Sequence, residues 1–289
     1  MYTVNLDLSP FTLSVSSDIP SVVHNLSKIY HHVFVPQSDV AIDFHLTVKK
    51  MNGLRAFLKP QAQFLCDQIE PFKPMSLNKS YALLEWGMNW TIAANEMQYV
   101  IIHSAVLAKG NKAILFPAPP GSGKSTITSY LAFNGWRLLS DEMALILPYS
   151  NKVQPFVRPI CLKNNSIQLA RDWFPDAVFS NVAIDTHKGD VIHLSPPKES
   201  WDNRHELAEI VGVVFPKYTA GDAPMKIYEL NKNQAFTKLV DNAFNYGVVG
   251  EKGFKTFTTL LETCHTFEIL HNNMAEVQAF LEEEIIGCV

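Results

Sequence analysis

Residues 112–146 read KAILFPAPPGSGKSTITSYLAFNGWRLLSDEMALI, in the order strand, glycine-containing loop, helix, strand. Ala113–Phe116 is a short apolar run halted by Pro117, the composition of a buried parallel strand. After Pro120 the loop supplies Gly121, Ser122, Gly123, Lys124, Ser125 and Thr126. Glycines let successive N–H groups converge on one point, and a helix beginning there adds the positive end of its dipole. Such a nest takes a phosphate; Lys124 would reach its outer oxygens and the Ser125 hydroxyl could ligate Mg²⁺. The usual phosphate-loop pattern has glycine where this chain has Ala118. The helix is expected over residues 124–134, with Gly135 as a left-handed cap. Arg137–Ser140 forms the next strand and ends on Asp141 and Glu142. Charged residues often only terminate a strand, but α/β sheets bind ligands at the carboxyl ends of their strands.

Upstream, IIHSAVL (101–107) reads as a strand that enters a hairpin at Lys109-Gly110-Asn111 and carries His103 toward the sheet centre. A histidine on that strand, a phosphate loop, and paired acids one short helix later together resemble the HPr kinase/phosphorylase catalytic domain. Closer still, LLEWGMNW (83–90), PAPPGSGKST (117–126), NGWRLLSDE (134–142) and THKGDVIHLSPP (186–197) resemble the HprK-related kinase A family. This resemblance covers nearly the whole chain. It implies an α/β fold: a P-loop, HPr kinase-like catalytic domain with a mixed central sheet over residues 76–289. It also implies ATP and Mg²⁺, a hydroxyl-bearing protein, peptide or small molecule as phosphoacceptor, and possible homo-oligomers.

On that reading Gly121–Thr126 hold the β- and γ-phosphates, and Lys124 balances charge moving to the leaving oxygen. Ser125 and Asp141 hold Mg²⁺. Glu142 accepts the proton of the acceptor hydroxyl, and His103 is a nearby positioning or charge-tuning group. The chain departs from HPr kinase at Glu142, where that family has Asp, and at Thr126, where it has Glu. Its glutamate-bearing segment after the acids is not recognisable here. Neither that metal-binding glutamate, nor phosphorolysis, nor HPr as substrate is therefore carried over. The alternative is a nucleotide-binding, slowly hydrolysing regulatory protein, which would need no proton acceptor beside Asp141.

The rest of the chain bounds this reading. Its 289 residues, 47% hydrophobic, suffice for one large or two modest domains. A net charge of −4 without a basic run argues against nucleic acid as a partner. Cys66, Cys161, Cys264 and Cys288 form no CxxC pair and read as reduced thiols. With no leader pattern and no membrane-length apolar run, a cytoplasmic location is expected.

Residues 1–75 show strand-like alternation at 4–8, 40–48 and 55–58, and a helix from Pro20 to Val33, as a small α+β N-terminal lobe. A helix over 77–95 is expected to be aromatic core, with Glu85, Trp86 and Asn89 on it. Arg158 and Lys163 flank an extended, proline-punctuated run and are cations that could reach phosphate. His187 and Lys188 sit in a polar, glycine-bearing segment expected to form a loop over the site. Ile210–Phe215 is a further buried strand, expected to pair with 226–230. The tail AEVQAFLEEEI (275–285) reads as a solvated closing helix.

Overall fold

The computed structural model describes residues 1–36, 40–53, 58–119 and 121–287. Pro120, Cys288 and residues 55–57 of the sequence reading lie outside them. The fold is α/β with mixed sheets, in two compact units, Met1–Asn95 with Pro159–Trp201 and Glu96–Arg158 with Asp202–Val289. A division at residue 75 is thus not the one these units follow.

The first unit is built on a six-stranded sheet. Its strands are β1 (Tyr2–Asp7), β2 (Thr12–Ser17), β3 (Phe34–Val35), β4 (Phe44–Lys50), β5 (Gln61–Cys66) and β6 (Met75–Ser76), in the order β3-β1-β2-β4-β5-β6. Period-two alternation puts Ala62, Phe64 and Cys66 of β5 inside while their neighbours are only partly covered. The helices Pro20–Ile29 and Ser80–Asn95 belong to this unit. Ile19 is the N-cap of the first helix, and its N–H donates to the Ser17 hydroxyl at 3.1 Å. Gly87 lets the second helix lie close to the sheet, because a Cβ there would stand 2.1 Å from Cε2 of the fully buried Phe64. On that helix Glu85 is indeed core: both its oxygens accept from the Tyr30 hydroxyl at 3.0 Å.

The chain then enters the second unit with β7 (Val100–Ile102), β8 (Ser104–Lys109), β9 (Lys112–Pro117), β10 (Arg137–Ser140), β11 (Ala144–Ile146) and β12 (Lys152–Gln154). It returns to the first unit for β13 (Ile160–Lys163), β14 (Ala183–Thr186) and β15 (Gly189–Leu194), a three-stranded sheet in the order β13-β15-β14. It finishes the second unit with β16 (Ala208–Tyr218), β17 (Lys226–Glu229) and β18 (His265–His271). The second unit's nine-stranded sheet runs β10-β8-β9-β16-β12-β11-β7, with β18 between β16 and β17.

Strand direction decides what meets at the sheet edge. β10 is antiparallel to β8, and β8 to β9, so β10 and β9 run the same way. β16 is parallel to β9, and β18 to β16. The carboxyl ends of β10, β9, β16 and β18 and the start of β8 therefore share one edge. Three expectations are corrected here. The run 101–107 is not one strand: it breaks at His103, and β7 leaves to pair with β11. Residues 226–229 pair with β18 rather than β16. The closing helix, Met274–Phe280 continued by a wider π-helical turn over Leu281–Ile286, is not simply solvated. It buries Leu281 and Ile285, and Glu282 accepts from Lys109 Nζ and Trp136 Nε1, both at 3.0 Å.

Gly87→Ala is expected to destabilise the protein by about 1–3 kcal/mol, the usual cost of overpacking, although alanine is the better helix former. Urea denaturation of the two proteins checks this; an unchanged midpoint would show that Phe64 yields without cost.

Candidate active site

The loop after β9 is shaped by two left-handed glycines, Gly121 at φ +87° and Gly123 at φ +90°. Nothing crowds Gly121, but a Cβ at Gly123 would meet Tyr218 Cβ at 3.3 Å and His271 Cε1 at 3.4 Å. Gly123 is thus required by conformation and by space. It is also the N-cap of the helix Lys124–Phe133 and, being glycine, has no side chain to cap that end. The first amides of any helix have no partner within it, and this helix starts at the sheet edge. The Ser122 hydroxyl is buried beside them with no hydrogen-bond partner among the described residues. The helix stops as expected, at Asn134 followed by Gly135 at φ +84°.

Four of the predicted side chains converge here. Lys124 is buried, and its Nζ lies 3.1 Å from His103 Nε2. An ammonium only donates, so Nε2 accepts and the ring's proton sits on Nδ1. The strand break places His103, whose N–H donates to the Asn242 carbonyl at 2.7 Å. Ser125 Oγ donates to Asp141 Oδ2 at 3.3 Å, and Asp141 is 3% exposed. Glu142 follows it, half-buried, its carbonyl accepting from the Ser104 N–H at 3.3 Å. Thr126 continues the first helical turn, its carbonyl accepting from Ser129 Oγ at 3.0 Å. Pro120 lies outside the described residues.

This arrangement offers outward amides and a cation for an anion, and beside them a hydroxyl and a carboxylate oxygen for a hard divalent cation. The donor set suits Mg²⁺, which is held by one or two carboxylates and completes its shell with phosphate oxygens and water. Among the described residues no group of three or more His, Cys, Asp or Glu gathers as a metal site.

The remaining predicted cations are distributed differently. Arg158 is in the second unit, buried, its guanidinium 5.6 Å from the Phe156 ring. Phe156 N–H donates to the Leu139 carbonyl at 2.9 Å, which runs this segment beside β10. Lys163, His187 and Lys188 are in the first unit. His187 and Lys188 fill the turn between β14 and β15, around Trp86: the His187 ring lies 5.0 Å from it and Lys188 Nζ 5.4 Å. Burial, then the charges of Lys188, Lys163 and Lys79, push the His187 imidazole below its usual range.

Two residues at the loop escaped the sequence reading. β9 ends at Pro117, but β16 runs on to Tyr218, whose N–H donates to the Ser122 carbonyl at 3.0 Å. Opposite Tyr218 in register is His271, the last residue of β18. His271 is 1% exposed, and neither ring nitrogen has a hydrogen-bond partner among the described residues. Only the placement of β18 next to β16 brings it here, and no local pattern signals that. Compared with known proteins, the chain matches no family model and no curated protein.

Burial pushes the His271 imidazole down from 6.5 to about 4. The folded protein therefore resists a proton that the unfolded chain accepts. This group costs no stability above about pH 6.5 and progressively more as pH falls toward 4, at most about 3 kcal/mol. Urea denaturation across that range should show wild type losing stability more steeply than His271→Gln; parallel curves would refute the assignment.

Proposed function

We propose that the protein is an ATP-dependent kinase that transfers the γ-phosphoryl group to a Ser/Thr-type hydroxyl of a protein, peptide or small molecule. The observation that carries this is the convergence of Lys124, His103, Ser125 and Asp141 at a glycine-capped helix N-terminus on the carboxyl edge of the sheet. The fold proposed with it is an HPr kinase-like catalytic domain. The motif resemblance to the HprK-related kinase A family supports both.

In this reading the amides from Gly121 to Thr126 cradle the β- and γ-phosphates, and Lys124 neutralises charge building on the leaving oxygen. Its contact with His103 holds the long side chain in place before substrate arrives. Ser125 and Asp141 would hold Mg²⁺, which when bound neutralises phosphate charge as a Lewis acid. Glu142 takes the proton from the acceptor hydroxyl as that oxygen attacks phosphorus. Transfer is then largely positioning and charge neutralisation, the demands of phosphoryl transfer generally. Arg158, in the same unit as the glycine loop, is proposed as a further cation for the phosphates.

The test is purified protein with γ-labelled ATP, Mg²⁺, and serine- or threonine-bearing peptides and metabolites. Label should move to an acceptor. Lys124→Ala should weaken ATP binding by roughly ten-fold or more. Glu142→Gln should slow transfer by roughly a hundred-fold or more while binding ATP normally. Release of inorganic phosphate alone, at a rate untouched by Glu142→Gln, would instead favour a regulatory nucleotide-binding protein.

A further inference from the structure

Across the shared edge of the nine-stranded sheet, the strand order ranks the groups laterally. Asp141 follows β10, His103 precedes β8, the glycine loop follows β9, Tyr218 ends β16 and His271 ends β18. The loop thus has the acids and His103 on one flank and two aromatic rings on the other. Resting on the kinase reading, the reacting phosphate and the metal-binding oxygens belong to the first flank. The remainder of the nucleotide must leave by another way, and the second flank is built to receive it.

Tyr218 is fastened at its backbone and open at its ring. Its N–H donates to the Ser122 carbonyl, and a Cβ on Gly123 would come within 3.3 Å of its own Cβ. The residue is 53% exposed, one of the large apolar residues left open to solvent. His271 backs it edge-on, ring centroids 6.2 Å apart and planes at 68°. A buried imidazole with neither nitrogen bonded among the described residues is costly. An exposed aromatic face beside such a ring marks a surface that a ligand completes.

We infer that Tyr218, backed by His271, is the platform on which the aromatic base of the nucleotide stacks. A tyrosine ring offers a flat apolar face to any base, so the platform supplies affinity for a nucleoside more than choice among bases. It also explains why β16 outlasts β9: the extra length carries the ring past the loop's floor to the level of a ligand lying on it.

The experiment measures binding of ATP and of inorganic tripolyphosphate, each with Mg²⁺, to wild type, Tyr218→Ala and Tyr218→Phe by calorimetry. Loss of a base–aromatic stack should weaken ATP binding to Tyr218→Ala by roughly five- to a hundred-fold. Tripolyphosphate binding should stay unchanged, and Tyr218→Phe should match wild type for both. Equal loss of both ligands would mean that Tyr218 only shapes the loop; loss of neither would mean that the base lies elsewhere. Either result overturns the inference while leaving the loop as a phosphate site. Wild type binding neither ligand would instead remove the nucleotide reading itself, and this inference with it.

Discussion

The helix Lys124–Phe133 begins at the sheet edge behind a glycine N-cap, which brings no side chain of its own to the first amides. Unpaired donors at a helix start need water, a cap or a ligand. Here the buried ammonium of Lys124 adds to the same positive region, and the covered Ser122 hydroxyl leaves it a further group to satisfy. Such a concentration of donors would be unfavourable if it were closed off from any acceptor. Its compensation is local: His103 accepts from Lys124, and Asp141 accepts from the neighbouring Ser125. Two polar contacts, at 3.1 and 3.3 Å, thus hold the site's side chains in place.

Strand direction makes that possible. β8 runs against both of its neighbours, so its first residues come to the edge where β9 and β10 end. His103 reaches Lys124 because the chain breaks just before β8 and is pinned there through the Asn242 carbonyl. An unbroken strand would have kept β7 in line with β8, away from β11. The irregularity that a strand pattern reads as continuous is therefore what aims the histidine.

How much was legible follows from how local each signal is. The segment from Lys112 to Ser140 could be read nearly residue by residue, because proline, glycine and apolar spacing act within a few residues. The α/β class and the hairpin at Gly110 were legible for the same reason. Tyr218 and His271 were not: they lie far along the chain from Gly123, and only pairing of β16 with β9 and with β18 joins them. Strand partners depend on whole-sheet packing, which alternation in one segment does not encode. The same limit explains the misassigned partner of residues 226–229. It also explains why Pro159–Trp201 was not recognised as part of the first unit, since that segment carries the same apolar strands as its flanks.

The two adjacent acids, interchangeable in the sequence, differ in what surrounds them. Asp141 is nearly covered and its carboxylate receives the Ser125 hydroxyl. Glu142 is only half-covered, and its side chain is longer by about 1.5 Å, one carbon–carbon bond. Under the kinase reading, a carboxylate that shares a cation with Ser125 gains from being short, buried and fixed. One that must meet an incoming hydroxyl gains from exposure and reach. Under the same reading, glutamate in place of the aspartate of HPr kinases gives the proposed base the longer reach. The difference in burial, under that same reading, suits Asp141 to the cation and Glu142 to the proton.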